Sequence, residues 1–154
     1  MESLDWQETQ MQKLASKTEH YTQKEKTKVG YSYLKSALYT VPEKVTNESD
    51  LQEFKANTVQ LIDSLPSKKD GSLMHYGTYS SALSSYKQDI KKKYNLVSKG
   101  TYVNQGILGM PVGLLLGILL GNLVFGLLIG LTVGLTIGAL LENKAKKENR
   151  LLDG

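Results

Sequence analysis

Residues 106–141 carry no charged side chain, a run of 36 positions that any fold of this chain has to accommodate. A membrane-spanning helix needs ~20 apolar residues to cross a hydrocarbon core about 30 Å thick. One straight helix over the whole run would reach ~54 Å at 1.5 Å per residue, too long for one upright crossing. Two short crossings fit better, so the run marks an integral membrane protein.

Glycine is spaced regularly within the run. Gly109, Gly113, Gly117 and Gly121 follow one another at intervals of four, and Gly126, Gly130, Gly134 and Gly138 repeat the interval. Each set makes a slowly drifting stripe along one helix face. The longer step from Gly121 to Gly126 turns the phase by roughly 140°, so the two rows do not form one continuous seam. Asn122 stands at that break, and Gly-Asn suits a turn because both residues tolerate φ > 0. The expected fold is a helical hairpin with arms over about 107–120 and 123–141 and its tip at Gly121-Asn122. Each helical glycine costs ~1 kcal/mol against alanine. In lipid that cost is offset by close backbone approach, because apolar burial no longer drives helices together. The grooves fit either arm against arm or chain against chain. Thr132 and Thr136 lie about 200° around the helix from neighbouring glycines, giving the second arm small residues on two opposite sides. That suits a bundle or ring; alternatively the hydroxyls bond back to their own i−4 carbonyls. Pro111 falls near the start of the first arm, where its missing N–H can be spared.

The chain has 154 residues, a formal charge of +4 and no cysteine. There is room for one small domain beside the membrane segment, and disulfides and thiolate metal sites are excluded. The opening, MESLDWQETQMQK, is acidic and polar and lacks the apolar core of a signal peptide, so the first part is expected to stay in the cytoplasm. Lys87, Lys91, Lys92, Lys93 and Lys99 precede the uncharged run, and Lys144, Lys146, Lys147 and Arg150 follow it. Positive residues within about 15–20 positions of a span stay on the cytoplasmic side. A hairpin satisfies both clusters, with both termini inside, whereas a single span would strand one. The same residues are candidates to hold anionic lipid headgroups, at roughly 1 kcal/mol each. The expected division is a cytoplasmic helical domain over 1–100, a glycine-zipper transmembrane hairpin over 101–142 and a basic cytoplasmic tail over 143–154.

Helical spacing recurs in the polar part. Asp5-x-x-Glu8 reads as a capping box opening a helix with Met11, Leu14 and Ala15 on one side, and the pattern then fades through EHYTQKEKTK. Leu34, Ala37, Leu38 and Val41 resume it, and Pro42 is expected to stop it. Asp50-x-x-Glu53 reads as the cap of the clearest helix, with Leu51, Phe54, Thr58, Leu61, Ile62 and Leu65 on one face before Pro66. Lys69-Asp70-Gly71 turns the chain into a last helix with Tyr76, Tyr79, Leu83, Tyr86, Ile90 and Tyr94 on one face. The fold class is all-α, three or four helices ahead of the hairpin. The nine tyrosines are expected on half-buried helix faces with wet hydroxyls. Tyr94 and Tyr102 are alternatively an interfacial belt.

Signals for chemistry are sparse. His20 and His75 stand alone. Ser84-x-x-Lys87 matches a nucleophile pattern without its companion motifs. The glycine run has neither the lysine-containing ending of a phosphate loop nor a dinucleotide fingerprint. No enzyme activity, cofactor or metal is expected. Nucleic-acid binding is disfavoured by a single arginine and the lack of a recognisable module. Asn47-Glu48-Ser49 is a glycosylation sequon that a cytoplasmic location leaves inert.

The block from KKYNLVSKGTY through GMPVGLLLGILLGN to ENKAKKENR, roughly residues 92–150, resembles the glycine-zipper membrane proteins of bacteria, a group with no assigned activity. Its most specific features are the LV-x-KG-x-Y lead-in, the GMP and GN elements and the basic tail. The resemblance implies a bacterial membrane protein, and cytoplasmic termini make that the inner membrane. The chain departs from the outer-membrane glycine-zipper lipoproteins by lacking a signal peptide and a lipidation cysteine. The expected function is self-assembly: hairpins of a homo-oligomer packing in the lipid bilayer into a bundle or ring. Such an assembly is a candidate pore, channel or membrane-disrupting effector controlled by the cytoplasmic domain. Asn122, Thr132 and Thr136 are the polar side chains of the arms, so a pore would be mostly apolar. The alternative is a membrane-anchored interaction module in which residues 1–100 bind a protein partner, a regulator or a defence or toxin–immunity partner.

Overall fold

A computed structural model describes residues 2–69, 71–107 and 109–153. The chain is mostly helical and divides into two compact units, Met1–Leu96 with Leu152–Gly154, and Val97–Leu151. The first unit holds α1 (Glu2–Lys17), α2 (Gln23–Lys28), α3 (Tyr31–Lys44), α4 (Glu48–Asp63), an antiparallel ladder of β1 (Lys68–Lys69) and β2 (Ser72–Leu73), and α5 (Tyr76–Tyr94). The second holds β3 (Val97–Ser98), α6 (Thr101–Gly106), α7 (Gly109–Leu119) and α8 (Leu123–Lys147), and β4 (Leu151–Leu152) lies near the end of the chain. The units divide at 96/97 rather than 100/101. Helix α8 continues through position 142 to Lys147, and Leu152, within the expected basic tail, is fully buried in the core of the first unit.

The apolar spacing builds that core. Leu34, Ala37, Leu38 and Val41 on α3, Phe54, Thr58, Leu61 and Ile62 on α4, and Tyr79, Leu83, Tyr86 and Ile90 on α5 are buried. The helix ends differ from the expected ones. Helix α1 already includes Glu2, so Asp5 lies within it, its carbonyl accepting from the Thr9 hydroxyl at 2.8 Å rather than capping anything. Ala15 is exposed; the buried stripe of α1 is Gln7, Gln10 and Leu14, continued by Thr18 just past its end, mostly polar, which is why its periodicity looked weak. The faded stretch contains α2, opened by a capping box at Thr22 and Glu25. The cap of α4 is Asn47, whose side-chain oxygen accepts from Ser49 N–H at 3.1 Å, and Asp50 sits in the first turn.

Pro42 does not stop α3, which runs on to Lys44. Proline lacks the N–H that would bond the carbonyl four residues back. That carbonyl belongs to Leu38, and it accepts from the buried Gln7 amide at 3.1 Å. Gly71 takes φ +77° in the β1–β2 turn, and Asp70 of the expected Lys69-Asp70-Gly71 turn lies outside the described residues.

Several tyrosine hydroxyls are bonded inside the unit rather than wet, whereas Tyr39 is exposed. Tyr79 donates to the Val29 carbonyl at 2.7 Å, Tyr94 donates to the Asp50 carbonyl at 3.2 Å, and Tyr86 and Thr58 share a bond of 2.8 Å. Tyr94 stands edge-on to Phe54 with ring centres 6.5 Å apart, which makes it part of this core.

Candidate functional site

In the second unit α7 and α8 pack antiparallel, joined by a three-residue turn, and glycine sets their separation. Gly109 lies against Gly130 and Gly134, Gly113 against Gly126 and Gly130, and Gly117 against Asn122 and Leu123. A Cβ added at Gly130 would stand 2.5 Å from both the Gly109 carbonyl oxygen and the Gly113 Cα, closer than a side-chain carbon can approach backbone. The break in spacing between the rows falls where the chain reverses, so the second row is turned to face the first.

The turn divides its work between two residues. Gly121 adopts φ +69°, the left-handed conformation a helix end commonly reserves for glycine. The N–H of Asn122 donates to the Gly117 carbonyl at 2.9 Å, closing α7, while its side-chain oxygen accepts from Phe125 N–H at 3.2 Å and opens α8. Asn122 itself is extended, φ −144°, so it contributes a cap rather than the positive φ its sequence context suggested.

The first arm is longer than its apolar pattern. Helix α6, TYVNQG, packs on α8, with Gly106 against Gly134 and the Tyr102 backbone against Gly138. Pro111 explains why α6 and α7 are separate helices: it has no N–H for the Ile107 carbonyl and its ring crowds that group. The chain tightens there, with Ile107 N–H to Asn104 and Met110 N–H to Ile107 at 3.3 and 3.0 Å. Leu108 lies outside the described residues. Gly100, φ +81°, precedes α6, and its N–H donates to the Glu142 carboxylate at 2.8 Å. Val97 N–H donates to the Arg150 carbonyl at 2.9 Å, so the chain enters and leaves the helical pair at one end. The packing roles of Gly106 and Glu142, and of the backbone at Tyr102, which the sequence offered only as an interfacial-belt residue, were missed because polar neighbours mask them; the one available signal was the spacing of three from Gly106 to Gly109.

Large aliphatic side chains point away from the seam. Leu119 is 82 % exposed and Val124 69 %, and Leu115, Ile118, Phe125 and Leu140 are each exposed as well. Thr132 and Thr136 are not brought to the α7–α8 contact. Both are exposed, and each hydroxyl donates to the carbonyl four residues back at 2.8 Å.

The basic residues separate into classes. Lys93 pairs with Glu53 at 2.5 Å, and that bond holds its amine above the ordinary lysine range. Lys87 lies over the Tyr33 ring, 4.6 Å from its centre, and burial pushes its amine down. Arg150 pairs with Glu148 at 2.6 Å. Lys91, Lys92, Lys99, Lys144, Lys146 and Lys147 are exposed. Among the described residues no group of three or more metal-ligating side chains is assembled. No protein-family model, curated protein or solved structure matches the chain.

Proposed function

We propose that this chain is an integral membrane protein of the bacterial inner membrane, whose α6–α8 hairpin crosses the bilayer twice and anchors a helical interaction domain on the cytoplasmic side. The observation that carries the reading is the layering of the helical pair, with glycine backbone inside and leucine, isoleucine, valine and phenylalanine outside. In water that arrangement exposes what folding normally hides; in lipid it leaves the apolar surface in an apolar medium. Lengths agree. The stretch Thr101–Leu119, which contains α6 and α7, counts 19 residues, and the uncharged part of α8 from Leu123 to Leu141 counts as many, ~28 Å of helix. Each matches a hydrocarbon core of about 30 Å.

Because the chain's own arms occupy the glycine grooves, an anchored module fits the geometry better than assembly through those grooves. Self-assembly into a bundle is the second reading. It is favoured by the small outward residues Thr132, Thr136 and Ala139 of α8, where both threonine hydroxyls are already satisfied and leave no orphan donor in a helix–helix contact.

Since the chain has no cysteine, single cysteines report topology cleanly. In sealed vesicles, Lys24→Cys and Lys146→Cys should react with an impermeant maleimide from one side and Leu120→Cys from the other. Labelling of all three from one side, or recovery of the chain in water without detergent, overturns the membrane reading. The mass of the detergent-extracted particle separates the two functions. A single copy is the anchored module; a defined oligomer that dissolves on Thr132→Leu with Thr136→Leu is the assembly.

A further inference from the structure

The last two turns of α8 carry Lys144, Lys146 and Lys147, which form no ion pair among the described residues. Leu140, Asn143, Lys144 and Lys147 follow the spacing of one helix face, and with Lys146 and Asn149 they line a shallow concavity. Among the described residues no carboxylate lies within ion-pair distance of Lys144, Lys146 or Lys147. The acidic groups nearest in sequence are engaged, Glu142 accepting from Gly100 N–H and Glu148 pairing with Arg150. A helix C-terminus often recruits lysine to cap its bare carbonyls, but here backbone does so. Glu148 N–H bonds the Lys144 carbonyl at 3.1 Å, Arg150 N–H the Ala145 carbonyl at 2.9 Å, and Asn149 N–H the Lys146 carbonyl at 3.1 Å. Asn149, at φ +51°, supplies the left-handed residue this closure needs.

We infer that this concavity binds the headgroup of an anionic phospholipid. The inference rests on the membrane reading above and gives it a site. Lys144 lies one turn beyond exposed Leu140, so its stem continues the apolar surface and its amine reaches headgroup depth. The phosphate sits between the Lys144 and Lys147 amines, with the Asn143 amide donating to a phosphate or glycerol oxygen. Lys93 and Arg150 take no part, being paired already.

The test uses the full chain purified in detergent and mixed micelles of phosphatidylcholine with a minority of phosphatidylglycerol, the bound phospholipid being counted by native mass measurement. Wild type should retain phosphatidylglycerol in preference to phosphatidylcholine. Lys144→Gln with Lys147→Gln should lower that preference by roughly fivefold per lysine removed, and the same pair changed to Arg should keep it. The change Lys24→Gln with Lys44→Gln removes equal charge from exposed positions outside the candidate headgroup residues and should leave the preference intact. Equal loss in both glutamine pairs, or no preference in wild type, overturns the site. Competition by soluble glycerol phosphate at the lipid's own concentration also overturns it, since the ligand is then a free phosphate. Alkaline carbonate extraction runs in parallel. A chain released from membranes refutes the membrane reading and the site with it, whereas a retained chain without lipid preference refutes the site alone.

Discussion

Pro42 and Gln7 stand far apart in sequence and solve one problem together. A proline inside a helix leaves a carbonyl bare, and a buried bare carbonyl costs about 1–3 kcal/mol. Gln7 fills that vacancy at Leu38. Gln7→Leu should therefore destabilise the first unit by ~1–3 kcal/mol, measured by urea unfolding followed through Trp6, which packs edge-on to Phe54 with ring centres 6.1 Å apart. Pro42→Ala supplies an N–H for the same carbonyl, so in the Gln7→Leu background it should recover most of the loss. Additive effects of the two changes would show that the pair is not coupled. Glycine gives a second contrast at this scale. An added Cβ at Gly126 runs into the backbone of Gly113 and Gly117, at Gly121 it meets no atom but keeps φ +69°, and at Gly77 it meets neither obstacle. Alanine should raise stability at Gly77 by up to ~1 kcal/mol, cost about 1–2 kcal/mol at Gly121, and cost more at Gly126, where two backbones must separate. Thermal unfolding in detergent, read by circular dichroism, ranks the three. Equal tolerance at Gly126 and Gly77 would mean that backbone contact does not hold α7 to α8.

At the scale of elements, α2 is too short to stand by propensity alone. Its capping box holds it: Thr22 N–H donates to Glu25 at 2.6 Å and Glu25 N–H donates to the Thr22 hydroxyl at 3.3 Å, with Lys68 paired to Glu25 at 3.0 Å. Thr22→Ala should cost ~1 kcal/mol. The bond from Thr22 N–H and the Lys68 contact hold the Glu25 carboxyl down to about 2, against an ordinary value of 4.5. A depressed folded value stabilises above the unfolded one and is lost as pH falls through the folded one. Wild type should thus lose stability between about pH 4.5 and 2, and Glu25→Gln should remove that part of the acid slope. An unchanged slope would discount the box. The same element shows where sequence reading fails. Thr22 and Glu25 have the spacing of a capping box, but no apolar stripe follows them because α2 buries nothing. Helix α1 hides its inner face by using Gln7 and Gln10 there, and α6 hides its packing behind Asn104 and the single glycine Gly106. The faces of α3, α4 and α5 were legible because leucine, valine, isoleucine and tyrosine mark them at helical spacing. Both glycine rows were legible for the same reason, since one residue type repeats at one interval. Which surface each row meets was not, because arm against arm and chain against chain ask for the same spacing.

Across the whole molecule, the two units differ in what holds them, and pH separates them. The first is stitched by buried phenols. Burial raises Tyr33, Tyr79 and Tyr86 well above the ordinary value of 10.0, and their rings fill the centre of the core. The second unit has a single tyrosine, Tyr102, and its α7–α8 contact is made by glycine backbone. Above pH 10 the unfolded chain releases its phenolic protons while the folded unit keeps these three. The folded state then binds more protons than the unfolded state, and stability falls as pH rises. Each such tyrosine contributes a slope of ~1.4 kcal/mol per pH unit once the pH is well above its unfolded value. The first unit should therefore unfold abruptly on alkaline titration, shown by a jump in tyrosinate absorbance and a change in Trp6 fluorescence at the same pH. Helical circular dichroism from α7 and α8 should persist in detergent through that transition, because neither helix contains a tyrosine. Replacing Tyr33 and Tyr86 by Phe should move the transition to higher pH, since fewer protons are then released on unfolding. Smooth titration of all tyrosines near the ordinary value, with the fold intact, would mean that the phenols are not buried; loss of all helix in one step would mean that the two units do not stand independently.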